Sequence, residues 1–159
     1  MLLTPRRALA YGALAVGVLD ITDAFVFSFV RRGTSPIAVL QGIAGGLLGR
    51  DTASGGLTTA ALGLLFHFTI ATCVVSVYHV ASRRLPVLAE RPLLLGPAYG
   101  VAVFWAMYYI VLPLSALNAS PPYPLPTLVN GLLIHMLGVG LPAALSARAA
   151  TRVARLAAS

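Results

Sequence analysis

Four stretches of the chain are long and apolar enough to cross a lipid bilayer, and this constrains the fold more than any motif. A membrane-spanning helix needs about 20 mostly apolar residues, and its backbone groups must be paired within the segment. Only 9% of the 159 residues are charged, against about 25% in soluble domains. We therefore predict an all-α membrane protein whose single domain, residues 1–159, is a four-helix transmembrane bundle. The predicted spans are residues 8–30, 58–81, 93–113 and 125–147.

A fifth apolar segment lies between the first two spans and is too short to cross. Ser35 followed by Pro36 is typical of a helix N-terminus, and Gly49 is typical of a C-terminal stop. The helix predicted over residues 36–48 would be about 20 Å long, whereas the hydrocarbon core is ~30 Å thick. We expect this helix to be interfacial, and the alternative is a re-entrant helix packed against the bundle.

All eleven basic residues are arginines, and they flank the apolar spans. With four spans both termini lie on one side of the membrane, and that side carries eight arginines against three on the other. Because positive residues favour the cytoplasmic side, both termini are predicted to be cytoplasmic. The arginines form no basic face, so nucleic acid is not an expected partner. The first span continues through Asp20 and Asp23 without a cleavage site and is predicted to be retained.

Two of the three histidines end nearly identical phrases. "GLLFH" covers Gly63–His67 and "GLLIH" covers Gly131–His135, while "AYG" occurs early in both the first and the third span. These recurrences predict a duplicated helical hairpin, with the short helix inserted in the first copy. The two copies would be related by a pseudo-two-fold axis along the membrane normal. Chance recurrence in a sequence rich in Leu, Ala and Gly is the alternative.

Four titratable side chains are predicted to lie at one depth near the middle of the membrane. A rise of about 1.5 Å per residue places Asp20, Asp23, His67 and His135 within a few ångströms of one level. Asn130 lies on the same span as His135. A carboxylate at this depth costs several kcal/mol unless it is paired, hydrated or protonated. The cluster is therefore a candidate functional site.

Three chemistries suit this cluster, and one structural role competes with them. Histidine and aspartate can pass protons or ions, and they are ligands for zinc, iron or nickel. A b-type haem could also be held by His67 and His135 from facing helices. The competing role is hydrogen bonding between helices, typically worth ~0.6 kcal/mol per bond. No phosphate loop, nucleophile elbow, zincin motif or metal-type cysteine spacing occurs, so the sequence does not support the chemistry of soluble enzymes.

Our leading interpretation is a small ion- or proton-handling membrane protein. A bundle of this size has little room for an internal pathway, which favours a homo-oligomer if the protein conducts. The alternative from another class is a non-catalytic accessory subunit of a larger membrane complex, favoured by the near-absence of soluble loops. Two other side chains receive structural interpretations: His79 is predicted to be interfacial, and Gln41 either caps the bundle or faces lipid headgroups.

A family resemblance rests on three stretches, "LLFHFTIATCVVSVYHVASRRLPVL", "YIVLPLSALNASPP" and "LVNGLLIH". On these the chain resembles a group of small bacterial inner-membrane proteins and, more distantly, is similar to the YagU-like inner-membrane family. The resemblance covers residue 63 to the C-terminus and implies a polytopic protein of the bacterial inner membrane. The residues that carry it are His67, Pro113-Leu114, Pro121-Pro122, Asn130 and His135.

Overall fold

The computed structural model describes residues 4–156, and no β-strand occurs in that range. Four of its helices are long and apolar enough to cross a membrane. The predicted all-α bundle of four spans with one short helix is confirmed, and each predicted span lies inside one of the long helices. In chain order the helices are α1 (Pro5–Arg32), α2 (Pro36–Leu48), α3 (Gly56–Arg84), the short α4 (Val87–Glu90), α5 (Pro92–Leu114) and α6 (Leu125–Val153, helical to Leu156).

The spans form a ring that is open on one side. We call the end of the bundle at which α1 begins and α6 ends the proximal end, and the opposite end the distal end. α1 packs between α3 and α6, and α6 packs against α5. α3 and α5 make few backbone contacts with each other. The pair α1–α6 and the pair α3–α5 are therefore packed differently, although a two-fold axis would make them equivalent. The duplication stays a prediction.

The hydrophobic core fills the proximal half of the bundle. Val75 and Tyr78 of α3 pack there against small residues of α6 such as Ala143 and Ala144. The Tyr78 hydroxyl donates a hydrogen bond to the carbonyl oxygen of Leu88 at 2.9 Å. A buried tyrosine needs such an acceptor. The core thus closes the proximal end, and the Tyr78 hydrogen bond attaches the short helix α4 to it.

α5 and α6 cross so closely that glycine is required at the contact. A Cβ on Gly100 would overlap the carbonyl oxygen of His135, and a Cβ on Gly140 would overlap that of Gly96. These neighbours are backbone atoms, which cannot rotate away as a side chain can. Small residues at membrane helix interfaces allow this approach. The crossing fixes the position of His135 relative to α5.

Both of these helices contain one π-helical turn. The turns cover Met107–Val111 in α5 and His135–Gly140 in α6. In each case the residue four positions before a proline, Pro113 or Pro142, falls inside the turn. Proline has no N–H and clashes with the carbonyl group four residues earlier, so a wider turn accommodates it. π-Turns are frequent at functional sites.

α2 has the ends that the sequence predicts. The Ser35 side chain accepts a hydrogen bond from the Ala38 N–H at 3.2 Å, Pro36 opens the helix and Gly49 caps its C-terminus. The helix packs on α3, where Gly63 lies directly against the carbonyl oxygen of Leu40. Its backbone is therefore in contact with the bundle from its first turns.

The polar groups of α2 also attach it to the bundle. Gln41 is buried, and its Nε2 donates to the carbonyl oxygen of Gly56 at 3.0 Å. The carbonyl oxygen of Gly46 accepts from the Ala116 N–H at 2.9 Å, just after α5. Of the two predictions for Gln41, capping of the bundle fits these contacts. α2 therefore lies across the distal end between α3 and the loop that follows α5.

His79 joins α3 to α6 at the proximal end. The sequence predicts an interfacial residue at this position, but His79 is buried in the bundle, with only 4% of its surface exposed. Its Nε2 lies 2.8 Å from Ser146 Oγ, and that hydroxyl donates to the carbonyl oxygen of Ala143. Because the hydroxyl hydrogen is used there, His79 donates its Nε2 hydrogen to the serine oxygen. The pair is a structural link between two spans.

Replacing Ser146 by alanine is expected to lower the free energy of unfolding by about 1–3 kcal/mol, because it leaves the buried Nε2–H without an acceptor. Thr72→Ala is the matched control. The Thr72 hydroxyl is exposed and bonds within its own helix, to Phe68. Denaturation of both variants in detergent, followed by circular dichroism, measures the difference. Equal stability of the two variants would contradict the assigned role of Ser146.

Candidate functional site

A cavity of about 610 Å³ lies between the four spans, with α2 across its distal end. Its proximal floor belongs to the hydrophobic core, since Val16, Ala71, Val103 and Val139 are members of both. Ligand cavities in proteins typically measure about 300–1,000 Å³. The space is thus large enough for a small molecule or a group of waters, and the core closes it on the proximal side.

All five candidate residues predicted from the sequence line this cavity. They come from three different helices, although their positions were inferred from depth alone. The lining includes Asp20 and Asp23 from α1, His67 from α3, and Asn130 and His135 from α6. The structure therefore brings together every residue of the predicted cluster.

Asp20 and His67 form the first pair in the cavity. Nε2 of His67 lies 2.9 Å from the carbonyl oxygen of Gly17. A carbonyl oxygen can only accept, so Nε2 carries a hydrogen. The other ring nitrogen, Nδ1, faces Oδ2 of Asp20 at 4.0 Å. Besides the hydrogen on Nε2, the pair can hold one proton in two arrangements. In one, Asp20 is a neutral acid beside a neutral His67 ring; in the other, Asp20 is a carboxylate beside an imidazolium. Both arrangements have no net charge.

Asp23 and Asn130 form the second pair. Nδ2 of Asn130 donates to Oδ2 of Asp23 at 2.6 Å, which joins α1 to α6. A hydrogen bond to a carboxylate is about twice as strong as one between neutral groups. An amide nitrogen donates without releasing its hydrogen at ordinary pH. Asn130 therefore holds Asp23 in place but cannot relay a proton to it.

His135 is fixed by its own helix and by aromatic rings. Its Nδ1 lies 2.7 Å from the carbonyl oxygen of Gly131 and therefore carries a hydrogen. The rings of Phe104 and Tyr108 stand edge-on to it, with centroids 5.8 and 6.2 Å away. In the neutral ring Nε2 is then the proton acceptor. Both cavity histidines thus have one nitrogen committed to the backbone and one nitrogen available.

The glycine and the histidine of the recurring phrase have the same structural roles in GLLFH and in GLLIH. Each histidine lines the cavity, and each glycine lies where another element approaches closely. A Cβ on Gly63 would overlap the backbone of Leu40, and a Cβ on Gly131 would meet the Tyr108 hydroxyl at 2.5 Å. The glycine therefore brings a neighbouring element up to the helix one turn from the histidine.

Several other lining residues were not predicted from the sequence. Arg32, placed in a loop by the predicted span, is the last residue of α1 and lines the cavity. Ser28 and Thr127 add hydroxyl groups to the same lining. Thr127 lies three residues before Asn130 on α6, a spacing that places both on one helix face and could have indicated it. Ser28 lies five residues after Asp23, and that spacing does not indicate a shared face.

The alternative cofactors gain no support from the geometry of the described part of the chain. Among residues 4–156 no group of three or more His, Cys, Asp or Glu side chains is arranged to hold a metal ion. Nε2 of His67 donates to the carbonyl oxygen of Gly17, and Nδ1 faces the Asp20 carboxyl group at 4.0 Å, too far for a hydrogen bond. Haem iron on Nε2 would require the Gly17 bond to break, and haem iron on Nδ1 would have to displace the Asp20 carboxyl group.

No protein-family model, curated protein or solved structure matches this chain. The geometry of the site itself defines a membrane-type helical bundle with a cavity between its spans, lined by two carboxyl groups and two imidazole rings.

Proposed function

We propose that this protein handles protons or small ions in a bacterial inner membrane, through the cavity between its four spans. The observation that carries the proposal is the convergence of Asp20, Asp23, His67 and His135 on one cavity. Each histidine keeps one ring nitrogen free of the backbone, which a group that only links helices does not need. An ionisable residue inside a membrane span is a candidate functional residue by default, and ion and proton paths are among the roles of such residues.

The Asp20–His67 pair is suited to proton exchange. One proton makes the pair neutral wherever it resides, so the pair avoids the cost of an isolated charge in a low-dielectric interior. A second proton would make the pair cationic, and loss of the first would make it anionic. Exchange with the cavity at Nδ1 of His67 and Oδ2 of Asp20 is therefore the expected elementary step. His135 provides a second acceptor nitrogen on the other side of the same space.

The closed floor defines what transport would require. Val16 and Val139, which separate the cavity from the proximal end, belong to the packed core. A proton that enters the cavity cannot continue to the proximal side while this core stays packed. Transfer across the bilayer therefore needs a second conformation in which α3 or α6 moves at the level of the floor.

Proton flux into liposomes tests the proposal. The purified protein is reconstituted with a pH-sensitive dye inside, and flux is driven by a pH gradient. The double variant His67→Ala, His135→Ala is expected to reduce flux to the level of empty liposomes. Asp51→Asn is the control, because Asp51 is exposed and lies outside the cavity lining. Equal flux of the wild type and the double histidine variant would refute the proposal.

The orientation that we propose places the proximal end in the cytoplasm. The exposed arginines at that end support it, and the family resemblance is to proteins of the same membrane. The side chains concerned are Arg6, Arg7, Arg83, Arg84, Arg91, Arg148 and Arg152. Reporter fusions at the C-terminus test it: a cytoplasmic reporter is expected to be active and a periplasmic one inactive.

Association with other chains is a separate proposal. A homo-oligomer, or an accessory role in a larger membrane complex, would cover part of the apolar surface of the bundle. Leu57, Leu93 and Leu114 are all more than 70% exposed on that surface. Native mass spectrometry of the gently extracted protein tests both forms of association. Masses of several copies indicate the oligomer, and additional chains indicate the complex.

A further inference from the structure

The gap between α3 and α5 opens the cavity sideways. Ile70 of α3 and Val111 of α5 both line the cavity, yet they are 40% and 43% exposed on the surface. Both residues lie within membrane spans. At its proximal edge the gap is closed by the Tyr99 hydroxyl of α5, which donates a hydrogen bond to the carbonyl oxygen of Val74 in α3 at 2.8 Å. Distal to this contact the backbones of the two helices make few contacts within the described residues 4–156. In a bilayer this opening faces the lipid chains, so the cavity can be reached from the membrane interior.

The walls of the cavity are mainly apolar, with aromatic rings among them. Phe27, Phe66 and Tyr108 contribute rings from three helices, and aliphatic side chains form most of the rest. Such a surface does not supply the several oxygen ligands that hard metal ions require. It suits a hydrophobic molecule, and aromatic faces also attract organic cations.

The charged groups in the cavity are separated along its length. The carboxyl groups of Asp20 and Asp23 lie in its deeper part, beside His67 and His135. Arg32 lies at the distal end of α1, about 14 Å along the helix from Asp23. The deep part of the cavity therefore carries acidic groups without a guanidinium beside them. A positively charged ligand group would be stabilised there, and a negatively charged one would be repelled.

We propose that the cavity takes up a lipophilic organic cation from the bilayer, through the gap between α3 and α5, and holds its charge at Asp20 and Asp23. This rests on the proposed function, because the same carboxyl groups exchange protons. A cation and a proton that use one carboxylate compete for it. Each therefore weakens the binding of the other by the same factor. Lowering the pH is expected to weaken the binding of a permanently charged cation.

Binding of tetraphenylphosphonium to the purified protein in lipid nanodiscs is the first test. Tetraphenylborate has nearly the same shape and the opposite charge, so it controls for partition into lipid. We expect saturable binding of the cation and none of the anion. Replacing both Asp20 and Asp23 by asparagine is expected to weaken cation binding about 30-fold or more. Asp51→Asn is expected to leave it unchanged.

The access route has its own matched pair of variants. Ile70→Trp narrows the gap between α3 and α5, and Leu65→Trp places the same ring elsewhere on α3, where Leu65 is 60% exposed and does not line the cavity. Association of tetraphenylphosphonium is expected to slow in the Ile70 variant alone. Equal rates in the two variants would overturn the lateral route.

Two results would overturn the binding proposal itself. One is equal binding of tetraphenylphosphonium and tetraphenylborate, and the other is cation binding by the wild type that does not weaken at low pH. The second measurement needs no variant, so it holds even if the double asparagine variant does not fold.

Proton flux distinguishes the proposed function from the proposed cation site. Proton flux without cation binding would support the proposed function and refute the cation site. Cation binding without proton flux would support the cation site and refute the proposed function.

Discussion

Asp20→Asn is expected to lower proton flux by about a hundredfold, which is the usual contribution of a positioned proton-transfer group. The Asp20 carboxyl faces Nδ1 of His67, the ring nitrogen that is free to accept a proton. An asparagine there keeps the size of the side chain but cannot exchange a proton with the ring. The flux assay in liposomes measures the effect, with the protein amount equalised between samples.

Asp23→Asn is the matched comparison for this prediction. Asp23 lies one helical turn away and lines the same cavity, but its partner is the Asn130 amide. An amide cannot receive the proton that a carboxyl group releases. We therefore expect a smaller loss of flux than with Asp20→Asn. A larger loss in the Asp23 variant would reverse the roles assigned to the two pairs.

Gly100→Ala is expected to destabilise the bundle by about 1–3 kcal/mol, as overpacking of a close contact usually does. The new Cβ would overlap the carbonyl oxygen of His135, and separation of α5 from α6 is the only relief. Gly42→Ala is the same substitution on α2, where a Cβ would have no neighbour within 4 Å. There it is expected to stabilise by about 0.5–1 kcal/mol through lower backbone entropy of the unfolded chain.

Denaturation in detergent, followed by circular dichroism, compares the two alanine variants directly. The opposite signs matter more than the magnitudes, because a general effect of alanine on helix stability would move both variants the same way. Destabilisation by both variants, or by neither, would show that the crossing at Gly100 does not decide the stability of the bundle.

The spans and α2 could be predicted from the sequence because their determinants are local. Hydropathy over about 20 residues defines a span. The signals at Ser35, Pro36 and Gly49 lie within a turn of the helix ends that they define. The π-turns associated with Pro113 and Pro142 are also local in origin, although they were not predicted from the sequence.

The site could be predicted only in part, because depth and rotation are separate properties of a helix. The rise per residue places Asp23 and Asn130 at a similar depth. Their hydrogen bond, between residues 107 positions apart, depends also on how α1 and α6 are rotated about their axes. That rotation is set by close contacts such as those of Gly100 and Gly140, which hydropathy does not report.

The open side of the ring was not predicted for a similar reason. A duplicated hairpin with a two-fold axis gives no ground for α3 and α5 to be apart while α1 and α6 are in contact. The difference follows from where small residues allow close approach. Gly12 of α1 lies directly against the Ser146 side chain of α6, whereas Gly96 and Gly100 of α5 face α6 and not α3.

The short distance within the Asp20–His67 pair has a consequence for the response to membrane voltage. The two atoms that can hold its proton are 4.0 Å apart. Moving one elementary charge across the whole hydrocarbon core against a potential of 100 mV costs about 2.3 kcal/mol. A step of 4.0 Å in a core of ~30 Å therefore involves at most about 0.3 kcal/mol, which is below thermal energy. Proton exchange within the pair is then nearly independent of voltage, and a voltage-dependent flux would have to arise as the proton enters or leaves the cavity.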